Sequence, residues 1–452
     1  MMDRDIVSFG ATGDGAADNS RAFAAAMEAI KEAGGGKLRV GKGVWRTGPV
    51  TLFSNTTLHL EEGAVISFIP ELERYTPVLT RWEGVECYAM HPLVFASGAE
   101  HVAITGKGCL DGNGLVWWNL LREKHRRNQR EPESPQELEL ARLNSGYKNK
   151  PGGGGGRGTQ FLRPPLVQFF DCTGVVLEGI SLKNSPFWTL HPVFCRDIKI
   201  SGITIENPRD APNTDGIDID SSTGVAIENC RISVGDDGIA LKAGSEKTRP
   251  RKSTGKVTVR NCTVENAHGG IVIGSETAGD ISEVLAEHCL FRETDRGIRI
   301  KSRRGRGGQI RDLEFRNLTM EDNLCPLAIN MYYRCGAEGE EGKPDGVFSL
   351  NPLPLSPATP RVKNIFISDI RASGCRASAG FIAGLPEAPV ENLRIYRSVF
   401  STDEGSPVSP DKSDMFLGIP PVTEKSFRLL NVKDPEFREV AVTGPAEAFI
   451  RR

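Results

Sequence analysis

Short stretches of alternating apolar and polar residues recur along this chain, and four of them begin with a glycine. They are Gly216-Ile217-Asp218-Ile219, Gly238-Ile239-Ala240-Leu241, Gly270-Ile271-Val272-Ile273 and Gly297-Ile298-Arg299-Ile300. Alternation with a period of two, rich in Ile and Val, is typical of β-strands. The glycines are 22, 32 and 27 residues apart, so the pattern predicts repeated strands joined by loops of variable length.

A second series of short segments lies between the first. It reads "VAIENC", "VTVRNC", "VLAEHC" and "LEFRNL", and Cys230, Cys262 and Cys289 are 32 and 27 residues apart. Two series that share their intervals are expected when each interval is one coil of a solenoid. Parallel strands of about three to five residues, stacked at about 4.8 Å, then form a β-helix. The polar residues that we expect to stack at a bend between strands are Asn229, Asn261, His288 and Asn317.

The remaining segments are predicted to cap the solenoid or to leave it as loops. "DNSRAFAAAMEAIKEAGGG" predicts an amphipathic helix with Phe23, Met27 and Ile30 on one face, and "GLVWWNLLREKH" predicts a second short helix. We therefore expect one all-β domain over residues 1–452, with an N-terminal cap over 1–50. Residues 124–165 are expected to form an inserted loop without a core pattern, residues 336–360 another loop, and residues 401–452 a C-terminal tail.

Composition narrows the function classes. A length of 452 residues is large for one globular core, but each coil of a solenoid contacts only its neighbours. The net charge of −2 gives no overall attraction to nucleic acid or membrane, and no apolar run is long enough to span a bilayer. The opening "MMDRDIVSFG" lacks the apolar region of a secretory signal. This predicts a cytoplasmic protein, or a secreted or periplasmic one if a leader was removed.

Chemically active residues lie next to each Gly-Ile strand. Coils in register would bring them onto one face, where three acids meet an imidazole and two cations. Carboxylates in a group raise one another's pKa, so one can act as an acid while another acts as a base. Such a pair can hydrolyse a glycosidic bond. The residues are Asp215, Asp236, Asp237, His268, Arg299 and Lys301.

The adjacent aspartates need a local explanation. Neighbouring residues on a flat strand point to opposite faces. Asp236 and Asp237 can therefore share a cleft only if the backbone bends, and we expect Gly235 and Gly238 to supply that conformational freedom.

Simpler interpretations exist for each feature. Adjacent Asp and Gly are common in surface turns, three clustered aspartates can bind calcium, and a lone His268 is often structural. "RIKSRRGRGG" could be a solvated charge run or a nucleic-acid patch. Alternation places Arg299 and Lys301 on one face, and two cations beside the acids make a metal site less favourable. The flanking Arg303, Arg304 and Arg306 are interpreted as loop charge without an assigned role.

The constellation resembles glycoside hydrolase family 28, the polygalacturonase family. The four motifs of that family are N-T-D, D-D, G-H-G and R-I-K, and they occur here in the same order. The matching segments are Asn213-Thr214-Asp215, Asp236-Asp237, His268-Gly269 and Arg299-Ile300-Lys301. Ala267 replaces the first glycine of G-H-G. The segments "HGGIVIGSE" and "RIKSRRGRGG" are most similar to bacterial exo-acting members.

The resemblance implies a right-handed parallel β-helix with long loops flanking the cleft, and inversion at the anomeric carbon without metal or other cofactor. It implies that Asp236 is the general acid, that Asp215 and Asp237 orient and deprotonate water, and that His268 lies beside the acid. It also implies that Arg299 and Lys301 bind a galacturonate carboxylate next to the scissile bond. Asn213 and Tyr333 are the further substrate-binding residues by the same resemblance.

The sequence therefore predicts an exo-acting polygalacturonase whose partner is an anionic poly- or oligogalacturonate and neither nucleic acid nor membrane. A rhamnogalacturonan or xylogalacturonan hydrolase is the alternative within the family. A calcium-dependent pectate lyase and a non-catalytic carbohydrate-binding β-helix are alternatives of other classes. The insertion at 124–165 motivates the exo assignment, because it could close one end of the cleft. The sequence does not determine the oligomeric state.

Overall fold

The structure is a computed structural model that describes residues 2–149, 156–246, 248, 251–337, 343, 346–413 and 422–451. The chain divides into two compact units, residues 1–236 and 237–452. Parallel strand pairing dominates both units, and most coils contribute three strands. The architecture is the predicted right-handed parallel β-helix. The single domain expected over 1–452 stays a prediction.

The described residues of the first unit form 21 strands and three α-helices. The strands β1 to β21, in order, are Met2–Asp5, Asp14–Asp18, Gly36–Val40, Gly43–Thr47, Val50–Leu52, Thr56–Leu60, Ala64–Phe68, Pro77–Trp82, Val85–Met90, Val94–Ser97, Glu100–Gly106, Cys109–Asp111, Val167–Phe170, Thr173–Glu178, Ser181–Lys183, Leu190–Val193, Arg196–Ser201, Thr204–Glu206, Ile217–Asp220, Thr223–Glu228 and Arg231–Ser233. The helices α1 to α3 are Ser20–Glu32, Leu115–Arg126 and Pro135–Leu143. Short 3-10 helices cover Ile6–Phe9, Leu72–Arg74 and Tyr147–Asn149.

Three parallel ladders organise the coils of this unit. The first strands of successive coils, β10, β13, β16 and β19, pair in one sheet. The second strands, β11, β14, β17 and β20, form another ladder, and the third strands, β12, β15, β18 and β21, form the last. Strands β8 and β9 form a separate antiparallel hairpin.

Helix α1 has the predicted position and the predicted apolar face. Phe23, Met27 and Ile30 are all buried. The helix ends before Gly34, whose φ of +75° is readily adopted only by a residue without a side chain. Burying large apolar side chains contributes about 1.5–3 kcal/mol each, so the amphipathic pattern accounts for both the helix and its docking.

The prediction of a featureless loop over 124–165 was wrong. The segment begins inside α2, which was expected, and contains α3, which was not. Helix α3 starts with a capping box in which Ser134 Oγ accepts from Glu137 N at 3.2 Å and Glu137 Oε2 accepts from Ser134 N at 2.9 Å. Leu140 is fully buried. The segment also contains five consecutive glycines at 152–156, of which 152–155 lie outside the described residues.

The second unit contains the remaining strands. Strands β22 to β39, in order, are Asp237–Lys242, Thr254–Arg260, Thr263–Glu265, Gly269–Ile273, Ile281–Glu287, Leu290–Arg292, Arg296–Lys301, Gln309–Arg316, Thr319–Glu321, Cys325–Asn330, Arg361–Ser368, Arg371–Cys375, Gly380–Ala383, Val390–Thr402, Phe427–Leu430, Val432–Lys433, Glu436–Thr443 and Phe449–Arg451. A 3-10 helix covers Pro410–Ser413. The first strands of successive coils, β22, β25, β28 and β31, pair in parallel.

The second-strand ladder of this unit contains β23, β26, β29, β32 and β35. Parts of the predicted loop at 336–360 and of the predicted tail at 401–452 lie outside the described residues. Across the described part of the chain, no helix is both long enough and apolar enough to cross a membrane.

The predicted bend residues share a left-handed backbone. Asn229 in the first unit has a φ of +57°, and Asn261, His288 and Asn317 in the second have φ between +52° and +55°. Asn tolerates this conformation better than most residues because its short side chain can bond locally. The recurring polar position therefore turns the chain between the second and third strands of a coil.

Candidate active site

A buried arginine donates hydrogen bonds to the loop that carries the N-T-D motif. Arg163 is fully buried, and its Nη2 donates to Asn213 Oδ1 at 2.7 Å. Its Nη1 donates to the backbone oxygens of Pro186 and Pro212 at 2.8 and 3.0 Å. Asn213 has a φ of +55°, and the guanidinium bonds stabilise that conformation. Arg163 was missed because its contacts join residues far apart in sequence.

The hydroxyl of Thr214 connects the two acid-bearing loops of the first unit. Thr214 Oγ1 donates to Ala211 O at 3.0 Å and accepts from Gly235 N at 3.3 Å. One carboxylate oxygen of Asp215 and one of Asp236 lie within 4.8 Å of each other. Asp215 is 3% exposed and Asp236 is half-buried. The predicted convergence of these two acids is therefore present.

The glycines around the aspartate pair, Gly235 and Gly238, allow close packing against neighbouring atoms. Neither Gly235 nor Gly238 has a positive φ. A Cβ on Gly235 would lie 2.5 Å from Ala211 O, and one on Gly238 would lie 2.4 Å from Val264 Cγ1. These positions therefore exclude a side chain for lack of space, and the prediction that the glycines also supply the freedom for a backbone bend stays a prediction.

In the second unit, Asp237 is buried between two cations. Its Oδ1 accepts from Arg299 Nη1 at 2.9 Å and its Oδ2 accepts from Lys301 Nζ at 2.5 Å. Alternation along β28 directs Ile298 and Ile300 into the core and the two cations to the opposite face. The predicted meeting of these three residues is confirmed.

Burial opposes ionisation of Asp237, but the charges of Lys301, Arg299 and Lys242 outweigh that effect. They hold the pKa of the carboxyl well below its usual range. Lys242 ends β22 and lies 3.4 Å from Glu276 Oε2. Lys242 was missed, although "GIALK" and "GIRIK" share one alternation that gives their lysines equivalent positions.

Tyr333 belongs to the same cluster. Its ring centroid is 5.8 Å from the guanidinium carbon of Arg299 and 5.2 Å from Lys301 Nζ. Burial raises the pKa of Tyr333 well above its usual range, so the phenol is neutral and can donate a hydrogen bond. His268 is exposed, immediately before β25 and after the buried Ala267.

Arg303, Arg304 and Arg306 lie in a loop, as interpreted, but the alternative of a solvated charge run is wrong for them. All three are at least 94% buried. Arg303 donates to Glu246 Oε1 at 2.9 Å, and Arg304 makes a two-bond contact with Glu387 at 2.6 and 2.8 Å. These pairs fix the loop that follows Lys301, because an unpaired buried charge is costly.

Two carboxylates within 4.8 Å could together bind a divalent cation, and Asp237 follows directly in the chain. Its oxygens are already engaged by Arg299 and Lys301, which opposes the recruitment of a third carboxylate to a metal. The chemistry that the arrangement supports without further groups is proton transfer by Asp215 and Asp236 and anion binding by the cations.

Comparison with known proteins identifies relatives of the whole fold. The family model described as "Glycosyl hydrolases family 28" matches residues 144–349. The crystal structure of a hyperthermoactive exopolygalacturonase from Thermotoga maritima is 30% identical, with a TM-score of 0.75. The match covers 97% of this chain and 92% of that one.

Two curated plant proteins are also similar. A probable polygalacturonase from Vitis vinifera is 31% identical over 70% of this chain and 60% of its own length. An exopolygalacturonase from Zea mays is 28% identical over 73% of this chain and 70% of its own length. The chain thus spans about three fifths of the first of these relatives.

Replacement of Asp237 by Asn should destabilise the fold. It leaves two buried cations without their anion, which typically costs about 3–5 kcal/mol. The lowered pKa of Asp237 means that its stabilising effect is full above about pH 3.9, the pKa of an unfolded aspartate, and is lost as the pH falls further. Urea unfolding at pH 7, 5 and 3.5 measures the difference in free energy of unfolding between wild type and Asp237→Asn. This difference should become smaller only at pH 3.5.

The matched control is Asp434→Asn, which neutralises an exposed aspartate and should change the free energy of unfolding by less than about 0.5 kcal/mol. If Asp237→Asn unfolded at the wild-type urea concentration at pH 7, the buried ion pairs would not stabilise the fold.

Proposed function

We propose that the chain, which belongs to glycosyl hydrolases family 28, hydrolyses α-1,4-galacturonosidic bonds in polygalacturonate and pectic oligosaccharides. The observation that carries this proposal is the approach of the Asp215 and Asp236 carboxylates to within 4.8 Å. Two acids at this distance can divide the roles of proton donor and proton acceptor. The polygalacturonase and exopolygalacturonase relatives support the choice of substrate.

We assign the general acid to Asp236. It is the more accessible of the two close carboxylates, so it can reach a glycosidic oxygen. Two carboxylates this close repel when both are ionised, which favours one proton on the pair. Asp237 is excluded as the acid because its cations hold it ionised. Asp215 and Asp237 then serve as the bases that orient and deprotonate water, with His268 beside the acid.

Inversion is supported by family membership rather than by the carboxylate separation. Inverting glycosidases typically hold their carboxyl groups about 6.5–9.5 Å apart, and retaining ones about 5–5.5 Å. The nearest oxygens of Asp215 and Asp236 are closer than either range. We propose that water is activated on the side of Asp237. The separation of Asp215 from Asp236 then does not determine whether the anomeric configuration is inverted or retained.

Arg299, Lys301 and Tyr333 are proposed to bind the carboxylate of the sugar beside the cut. A guanidinium has five N–H donors and an ammonium has three, which exceeds what the two oxygens of Asp237 accept. The neutral Tyr333 adds a hydroxyl donor. Cations positioned to bind a carboxylate select a uronate over a neutral sugar.

Asp236→Asn should lower kcat on trigalacturonate by at least about 10²–10⁴-fold, because the amide cannot protonate the leaving oxygen. Wild type and variant are assayed with chelator present, and NMR identifies the first anomer formed. Cleavage that adds water and first yields the β-anomer is expected, whereas an α-anomer would overturn inversion.

Asp434→Asn is the control for this assay and should retain wild-type turnover. An unsaturated, ultraviolet-absorbing product that disappears with chelator would instead identify a lyase. Wild-type protein that binds trigalacturonate without cleaving it would identify a binding β-helix.

We further propose exo action, which rests on the insertion in the first unit. Trp118 Nε1 donates to Ser185 O at 3.0 Å, and Arg122 Nη2 donates to Asp210 Oδ2 at 2.8 Å. Together with the bond from Arg163 to Asn213, these contacts hold the segment that contains α2 and α3 beside the loop that carries Asp215. A fixed wall at this place limits how far a chain can extend past the cut. The exopolygalacturonase from Thermotoga maritima supports the same assignment.

Digestion of polygalacturonate should release monomer or dimer from the first minutes while viscosity falls slowly, because each event removes only a chain end. Chromatography of products against time and viscometry of the same sample measure both quantities. A ladder of intermediate oligomers with rapid loss of viscosity would show internal cleavage.

We also propose that the enzyme acts in the cytoplasm on imported oligomers. Cys172 and Cys195 occupy equivalent positions in adjacent coils, with Cys172 N 3.4 Å from Cys195 Sγ. Neighbouring thiols stay reduced in the cytoplasm and tend to oxidise outside it. Fractionation of the native host should place activity in the cytoplasmic fraction, and activity in the periplasm or medium would refute this assignment.

A further inference from the structure

A cavity of about 650 Å³ lies in the second unit, apart from the Asp237 cluster. This volume is within the range typical of ligand pockets. One wall consists of residues that immediately precede or begin the second strands of four successive coils, and the other is the segment at 355–359. The lining residues used below are Arg251, Ser253, Asp280, Gln309, Leu355 and Arg361.

The first wall is a ladder of polar groups in register. Gln309 pairs with Arg361, and the pairing of Thr254 with Ile281 and of Ile281 with Ile310 aligns the preceding residues, Ser253 and Asp280, with them. Successive rungs are about 4.8 Å apart. The ladder thus presents hydrogen-bonding groups over about 14 Å, the dimension of an extended ligand rather than a point ion.

The charge of the cavity is not balanced by the protein. Within the described part of the chain, the guanidinium groups of Arg251 and Arg361 make no ion pair, and both residues are exposed. Asp280 is the one acidic residue in the lining, and its Oδ1 accepts from Gln309 N at 3.0 Å.

The opposite wall offers apolar surface. Leu355 is 55% exposed, and Pro357 lies two residues further in the same lining. Apolar surface facing polar groups suits a sugar, whose ring has C–H faces and whose edges carry hydroxyls. Unpaired guanidiniums add a requirement for carboxylates.

We propose that this cavity is a second, non-catalytic binding site for an acidic oligosaccharide, with Arg251 and Arg361 each binding a uronate carboxylate. The choice of uronate rests on the proposed function, since a substrate of that class is what the enzyme meets. The site would hold a polymer on the enzyme between cleavage events and so raise the local concentration of chain ends.

The test uses the full chain with Asp236→Asn to prevent turnover, and trigalacturonate as the probe in calorimetric titrations. We expect two equivalents to bind to Asp236→Asn and one to the triple variant that also carries Arg251→Gln and Arg361→Gln. With Asp236 intact, Arg251→Gln/Arg361→Gln should lower the ratio of kcat/KM on polymer to kcat/KM on trimer about three- to tenfold. Arg21→Gln/Arg371→Gln removes two exposed arginines elsewhere and should leave stoichiometry and ratio unchanged.

The proposal would be overturned if the triple variant bound as many equivalents of trigalacturonate as Asp236→Asn does. Displacement of the second equivalent by millimolar inorganic phosphate would do the same, because that identifies a general anion site. Binding of maltotriose with equal affinity would also overturn it, since a neutral sugar needs no guanidinium. The loss of one equivalent is measured without catalysis, so failure of the wild type to hydrolyse trigalacturonate would refute the proposed function and leave this result interpretable.

Discussion

The hydrogen-bonded register between successive coils is the constraint on which the site depends. A parallel pair places each residue beside its equivalent in the next coil, about 4.8 Å away. In the second unit this register aligns Ala240, Val272 and Arg299 in one column. The inward neighbours Ile298 and Ile300 fix the face on which the cations stand. The residues that pack the core and those proposed to bind substrate thus lie on opposite faces of one strand. A register shift of one residue would exchange these two faces.

The charges on that face require partners because they are largely removed from water. Asp237 satisfies Arg299 and Lys301, and Glu276 lies beside Lys242. The loop that follows Lys301 contains another buried ion pair, between Arg304 and Glu387. Each pair alone contributes little net stability, but the removal of one member leaves an uncompensated buried charge. The network therefore fixes positions more than it adds stability, and fixed positions are what a carboxylate-binding site needs.

The sequence predicted what repeats and missed what depends on a single contact. Alternation and equal intervals were enough for the strands, for helix α1, and for the meeting of Asp237 with Arg299 and Lys301. Arg163 left no signal, because its bond to Asn213 depends on how an insertion folds back. Helix α3 did leave one, since Ser134 and Glu137 form a recognisable capping box. The burial of the later arginines could not be read from composition, because a charge run looks the same whether it meets water or glutamates.

Unpaired charge is informative in a protein that pairs most of its buried charge. Arg303 and Arg304 are enclosed and matched by glutamates, so their energetic requirement is met within the fold. Arg251 and Arg361 line a cavity with a single aspartate that already accepts a backbone N–H. Water can satisfy exposed guanidiniums at little cost, so their position needs no structural explanation. Their convergence from distant parts of the chain onto one polar ladder does need one, and a carboxylated ligand that spans the rungs meets both the charge and the spacing.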